Sequence, residues 1–237
     1  MLDAIAFDAD DTLWHNIQLF VSTETEFKDL LAEYCGPELI ERHLFETQTR
    51  NLDVFGYGIK GFTLSMIETA IELSDGRVSG QEVRAIISLG REMLASPIEL
   101  LEHAENTVRQ LSKSHDLILI TKGDLFDQES KLARSGLGDC FQHIEIVSRK
   151  DVETYRTILE KHAIVTNRFL MVGDSLRSDI VPVVTMGAHA VHVPFKITWA
   201  HEEVPEQALV RHFFHTIDHL GELPGIVSVI EERLPAM

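Results

Sequence analysis

Cysteine is scarce: only Cys35 and Cys140 occur in 237 residues. They form no C-x-x-C pair and no zinc-ligand spacing, and two thiols are too few for a disulfide framework. Free thiols in a reducing cytoplasm are therefore expected. Basic residues are also in short supply, with 21 Lys and Arg against 38 Asp and Glu, a formal charge of −17. A surface that acidic repels phosphate backbones and anionic headgroups, which argues against nucleic-acid and membrane partners. No apolar run reaches membrane-spanning length. The start of the chain carries Asp3, Asp8, Asp10 and Asp11 in place of the basic end and apolar stretch of a signal peptide, so none is expected. Low-complexity segments, clear internal repeats and an H-E-x-x-H signature are missing too. The 12 histidines, among them His189, His192, His201, His212, His215 and His219, read mainly as a reserve of positive charge at low pH.

What is present is an ordinary globular composition, 44% hydrophobic and 25% charged, in a chain long enough to bury a core without staples. Ala4-Ile5-Ala6-Phe7 is a short apolar run stopped by carboxylates and reads as a buried strand. From about Val21 to Leu94 four helical patterns follow. The first runs from Val21 to Tyr34 and is closed by Gly36-Pro37; the second runs from Glu38 to about Leu52. After the glycine-spaced stretch Gly56–Gly61, the buried stripe of the third is expected at Leu64, Ile67 and Ile71. The fourth opens on the capping box Ser79-Gly80-Gln81-Glu82 and is expected to bury Val83, Ile86, Ile87 and Leu94, with Gly90 allowing close packing. From Pro97 the pattern alternates. Strands at 117–120, 144–147, 169–172 and 188–193 are separated by helices near 125–135, 152–162 and 178–186, after a helix around 100–111. This alternation predicts an α/β fold with a doubly wound parallel, Rossmann-like sheet, made by residues 1–16 and 97–237, with residues 17–96 inserted as a helical domain.

Candidate chemistry collects where strands end. Asp8 and Asp10 follow the first strand at a spacing that lets both carboxylates enter one crevice, and ligands of such sheets bind beyond the carboxyl ends of the strands. Thr121-Lys122-Gly123 stands between a strand and a helix start, a place suited to hold oxyanions. Lys150 precedes a helix and could clamp an anion. Gly173-Asp174 and Asp179 follow another strand. Each has a structural reading of its own: an acidic turn, a local hydroxyl bond, a solvated lysine, a helix cap. Taken together they are oxygen-rich and consistently ordered, and Asp8, Asp10 and Asp174 offer hard ligands that suit Mg²⁺ better than zinc.

These residues resemble the haloacid dehalogenase superfamily, specifically its phosphatase-type members with a helical cap. Phe7-Asp8-Ala9-Asp10-Asp11-Thr12-Leu13 is similar to the family's first motif, Thr121 to the second, Lys150 to the third, and Gly173-Asp174 with Asp179 to the fourth. Where many members have Pro after the lysine, this chain has Asp151. The resemblance implies that Asp8 is a nucleophile and Asp10 an acid and base. Mg²⁺ would be held by Asp8, Asp174 and the backbone carbonyl of Asp10. Thr121 and Lys150 would grip the phosphoryl group, with Asp179 orienting Lys150 rather than binding metal directly. It also implies that residues 17–96 are the cap, with Tyr57 and Lys60 candidate contacts to the rest of the substrate beside Lys122. Trp14 is expected to pack, near a hinge or pocket. The expected activity is a Mg²⁺-dependent phosphohydrolase acting on a small phosphorylated metabolite. Sugar phosphomutase chemistry is the alternative; a 2-haloacid dehalogenase, which would not need Asp10, or a non-catalytic binding protein is less favoured.

Overall fold

The structure, a computed structural model, describes residues 1–197, Glu202 and 213–234. His201 and His212 lie outside the described residues. The chain divides into two compact units. The first contains Met1–His15, Ile98–Lys122 and everything from Glu129 on; the second contains Asn16–Pro97 together with Gly123–Gln128.

The first unit is built on β1 (Ala4–Phe7), β2 (Leu117–Lys122), β3 (His143–Val147), β4 (Phe169–Gly173), β5 (His189–His192) and β6 (His215–Thr216). They form one parallel sheet in the order β3-β2-β1-β4-β5-β6. This is the α/β Rossmann-like arrangement that the sequence predicts. The chain leaves β1 toward β2 and β3, then returns to the other side of β1 for β4. The switch point therefore lies between β1 and β4, and it fixes where ligands of such a sheet bind.

Continuous apolar runs make the central strands because both faces of the sheet are covered. Ile5, Phe7, Leu119 and Val172 face α5 (Ala104–Leu111), the end of α6 (Leu125–Ser135) and α9 (Leu223–Arg233). Ala4, Ala6, Ile120 and Met171 face α7 (Val152–Lys161) and α8 (Val181–Thr185). The small Ala4 and Ala6 leave room on that side for Tyr155, which is fully buried. The sequence reading missed two elements. β6 is too short for any periodicity to show. α9 begins Leu-Pro-Gly, which reads as a turn, yet proline is well placed in a first helical turn and Leu223, Val227 and Ile230 line one buried face.

The second unit holds α1 (Ile17–Leu30), α2 (Pro37–Phe55), α3 (Ile59–Leu73) and α4 (Gly80–Ala95). Gly36-Pro37 opens α2, with Pro37 in its first turn, rather than closing α1. The capping box forms as expected: the Glu82 N–H donates to Ser79 Oγ at 3.2 Å and the Ser79 N–H to Glu82 Oε2 at 2.6 Å. Of the stripe expected for α3, only Ile67 packs against the core, half-buried. Leu64 and Ile71 are 43% and 47% exposed, and the buried face is Ile59, Phe62, Met66 and Ala70. α3 carries apolar residues on more than one face, so periodicity offers two stripes, and packing against α2 and α4 selects one. In α4, Ile87 likewise points outward while Ile86, Gly90 and Met93 are buried. No helix among the described residues is long and apolar enough to cross a membrane.

Gly90 is where α4 meets α3. A Cβ there would lie 2.2 Å from Thr63 Oγ1 and 3.2 Å from Thr63 Cβ. Gly90→Ala is expected to lower the thermal midpoint, because overpacking costs about 1–3 kcal/mol against a helix-propensity gain of about 1. Thr63→Ala in the same chain should recover most of the loss. A stabilised Gly90→Ala protein in thermal denaturation would contradict this packing.

Candidate active site

Asp8 follows β1 and Asp174 follows β4, so the two strands flanking the switch point deliver a carboxylate each. After β4 the chain makes a π-helical turn at Leu176–Ile180 that runs directly into α8, so the helix expected at 178–186 is divided between the two. Such turns recur at functional sites because they redirect side chains. Here Asp179 folds back beneath β4. Its Oδ2 accepts the Ser175 N–H at 3.1 Å, and a Cβ on Gly173 would lie 2.3 Å from that same oxygen. Gly173 is therefore glycine because the Asp179 carboxylate occupies the space a side chain would need.

Lys150 Nζ lies between two carboxylates, donating to Asp8 Oδ1 and, at 2.7 Å, to Asp179 Oδ1. Its side chain is 1% exposed. Asp151, in the position where the related motif often has proline, caps α7 by accepting the Thr154 N–H at 2.9 Å. The departure therefore leaves the start of α7 intact, and with it the approach of Lys150. Thr12 Oγ1 lies 3.2 Å from Asp8 Oδ2 and 3.4 Å from Asp174 Oδ1, and accepts the Asp174 N–H at 3.0 Å. Thr12 thus joins the two carboxylates directly.

Oxygens of Asp8, Asp174 and Asp179 all lie within 4.8 Å of one another. Burial raises the Asp8 carboxyl to about 7; Lys150 pulls it down, while Asp179 and Asp10 push it further up. Burial and then Asp8 and Asp179 raise Asp174 well above the usual carboxylate range. Burial works against the charge of Lys150, yet Asp179 and Asp8 outweigh it and hold the ammonium above its usual range. One ammonium against three close carboxylates leaves negative charge in excess. These hard oxygens could hold a divalent cation such as Mg²⁺, with Asp8 and Asp174 as candidate side-chain ligands. Both oxygens of Asp179 already accept hydrogen bonds, which suits its expected part in orienting Lys150.

Asp10 turns elsewhere. Its Oδ1 accepts from Trp14 Nε1 at 2.7 Å, and Lys131 Nζ lies 3.1 and 3.2 Å from Oδ1 and Oδ2. Among the described residues the Asp10 carboxylate is not in the acidic cluster, so a metal contact from Asp10 would use its backbone carbonyl. Trp14 is fully buried, as its packing reading requires, and also donates to Asp10.

Thr121 lies within the end of β2, where the sequence reading put it just beyond; it is buried, with Oγ1 3.4 Å from the Lys122 carbonyl oxygen. Lys122 Nζ donates to Ser178 Oγ at 2.7 Å and to Glu202. Glu202 also accepts from Ser175 and Ser178. Burial opposes its charge, but Lys122 and the two hydroxyls hold it below the usual range. Tyr57 and Lys60 belong to the helical unit, where Lys60 Nζ donates to Asp124 Oδ1 at 2.8 Å and lies 5.6 Å from the Phe126 ring centre. Lys131, Ser175, Ser178 and Glu202 escaped the sequence reading. The closeness of Ser175 and Ser178 to Asp174 was the available signal; Lys131 and Glu202 offered none.

The haloacid dehalogenase-like hydrolase family model matches residues 2–182, and a second, HAD-hydrolase-like, matches 149–223. The 5-amino-6-(5-phospho-D-ribitylamino)uracil phosphatase YigB of Escherichia coli is 24% identical over 203 residues, 80% of this chain and 82% of that protein. A haloacid dehalogenase-like family hydrolase from Xanthomonas campestris of known structure is 35% identical, covers 98% of this chain and 93% of its own, and superposes with a TM-score of 0.87. The 2-haloacid dehalogenase from Pseudomonas syringae shares the fold, at 22% identity, 97% and 99% coverage and a TM-score of 0.63. So does the magnesium-bound HAD-hydrolase YfnB from Bacillus subtilis, at 17% identity, 96% and 99% coverage and a TM-score of 0.67.

The raised carboxyls carry a pH signature. Folding lifts Asp8 from 3.8 to about 7, so the folded chain holds the extra proton between those values. The stability tied to that proton is fully present below 3.8 and is lost as pH rises through about 7; Asp174 acts in the same sense. A cation that replaces the proton should then raise the thermal midpoint more at about pH 8 than at about pH 6. Asp174→Asn should stabilise the metal-free protein at the higher pH and remove the Mg²⁺ response. A Mg²⁺ shift in differential scanning fluorimetry that persists in that variant, or ignores pH, would contradict the assignment.

Proposed function

The chain belongs to the haloacid dehalogenase-like hydrolase family, and from that premise we propose that it is a Mg²⁺-dependent phosphohydrolase that releases phosphate from a small phosphorylated metabolite through an aspartyl-phosphate. The observation that carries this reading is the pairing of two differently held aspartates two residues apart. Asp8 is buried in the acidic cluster under Lys150, and Asp10 is held outside it by Trp14 and Lys131. This difference supports Asp8 as the attacking group and Asp10 as the group that moves protons. Halide needs no proton on departure, whereas an alkoxide does, so an aspartate at position 10 favours phosphate esters over haloacids. The likeness to the dehalogenase is one of fold, whereas the relationship to the E. coli phosphatase adds support from a phosphoester-cleaving protein.

In the first step an Asp8 oxygen attacks phosphorus. The bond to the leaving oxygen breaks, and that oxygen keeps the electron pair and takes a proton from Asp10. In the second step a water attacks phosphorus and gives its proton to Asp10, and the Asp8 carboxylate departs as phosphate forms. Lys150 and Thr12 keep Asp8 from rotating, and Lys150 with Thr121 stabilises the phosphoryl oxygens. A bound Mg²⁺ would supply charge neutralisation for the approach of a dianion to Asp8. Lys122, tied to Glu202 and Ser178, would border the entrance for the substrate. Residues 17–96 would act as the cap, with Tyr57 and Lys60 contributing to choice of substrate. The free thiols Cys35 and Cys140 suit a reducing cytoplasm.

The test is phosphate release from an aryl phosphate and from a panel of phosphorylated metabolites that includes the substrate named for the E. coli relative. Turnover should require Mg²⁺ and fall by at least about 10³-fold in Asp8→Asn. Absence of turnover across the panel by folded, Mg²⁺-supplied protein would overturn the reading, as would halide release from a 2-haloacid or isomerisation without phosphate release.

A further inference from the structure

Lys131 is a lysine in an unusual setting. It lies on α6 with its side chain 7% exposed, although lysines are rarely buried unless paired. Its ammonium meets both oxygens of Asp10, at 3.1 and 3.2 Å, across 121 residues of sequence. The Trp14 indole, only four residues on, holds the first of those oxygens at 2.7 Å. The backbone adds a third restraint. Residues 10 and 14 form an isolated bridge, closed by the Asp11 N–H to Trp14 carbonyl bond at 2.7 Å, with Asp11 in the left-handed region at φ 61°. The Asp10 side chain, which would otherwise be free to change rotamer on a turn, is thus gripped at both oxygens by two side chains that are themselves buried.

The geometry points to Lys131 and Trp14 as positioning residues that hold the Asp10 carboxylate for proton transfer to and from the leaving group. This rests on the phosphohydrolase reading above. Asp10 acts twice in that reaction, on a leaving oxygen and then on a water, and both transfers need hydrogen-bond reach. A displacement of about 1 Å costs on the order of 10²-fold in rate. Lys131 and Trp14 touch neither the phosphoryl oxygens nor Asp8 in this scheme; they act through Asp10. A purely structural ion pair tying α6 to the turn after β1 would have the same bonds but no preference among leaving groups.

The experiment compares p-nitrophenyl phosphate, whose leaving group departs without help, with an alkyl phosphate from the active panel, whose leaving group needs a proton. For Lys131→Met, kcat with the alkyl ester should fall by about 10–100-fold and with the aryl ester by under about 3-fold, with KM little changed. Trp14→Phe, which keeps a buried aromatic ring but removes the N–H together with the five-membered ring that carries it, should show the same selectivity to a smaller degree. Lys131→Arg should restore part of the alkyl activity. In an Asp10→Asn background Lys131→Met should add little further loss, because the group it positions is gone. Equal losses on both esters, or full additivity with Asp10→Asn, would overturn the proposal. If Lys131→Met does not fold, Trp14→Phe and Lys131→Arg decide by the same ratio. Failure of the unmodified protein to hydrolyse either ester would instead count against the phosphohydrolase reading itself.

Discussion

Lys150 is buried between the carboxylates of Asp8 and Asp179, and the arrangement of the site follows from satisfying that charge. Taking an ammonium out of water costs several kcal/mol unless close partners offset it. Two partners are supplied by different strand ends, Asp8 after β1 and Asp179 through the π-helical turn after β4. That turn in turn requires glycine at position 173, because Asp179 occupies the space beside it. Asp174 is left next to Asp8 and Asp179 with Thr12 bridging. The same interaction that stabilises Lys150 therefore concentrates carboxylates faster than it neutralises them.

This excess gives the acidic composition a local meaning. A chain with a formal charge of −17 repels polyanions at long range. Within the site, the balance is set by a few angstroms of geometry. Burial and mutual repulsion raise Asp8 and Asp174, so in the absence of a cation the cluster favours protons. A divalent cation in their place would bring the cluster of three carboxylates and Lys150 to formal neutrality, removing the repulsion that a small dianion would otherwise meet. The pattern also separates the two aspartates of the first motif. Asp8 is governed by the acidic cluster and Lys150, whereas Asp10 is governed by Lys131 and Trp14, so neighbouring residues of one turn occupy different electrostatic environments.

Sequence reading picked out candidate residues whose positions are dictated locally. Asp8 and Asp174 stand at the ends of apolar runs, whose order predicts the parallel sheet, and Lys150 stands just before a helix. Lys131 and Glu202 were not readable, since their partners lie 121 and 80 residues away and a lone charge on a helix or loop looks solvated until the fold brings it home. Trp14 was read as a packing residue, which its burial matches, while its N–H bond to Asp10 depends on the turn at Asp11. The buried stripe of α3 failed for another reason: Leu64 and Ile71 fit a helical period as well as Ile59, Phe62 and Met66 do, and only the neighbours α2 and α4 choose between them.

The central claim is that the carboxylate held by Lys150 becomes covalently phosphorylated. Single-turnover reactions quenched in acid, followed by peptide mass spectrometry, test it most directly. The account predicts a phosphoryl group on Asp8 that forms and decays before free phosphate is complete. Complete turnover with no adduct on Asp8 at any quench time, or a phosphoryl group on another residue, would contradict it.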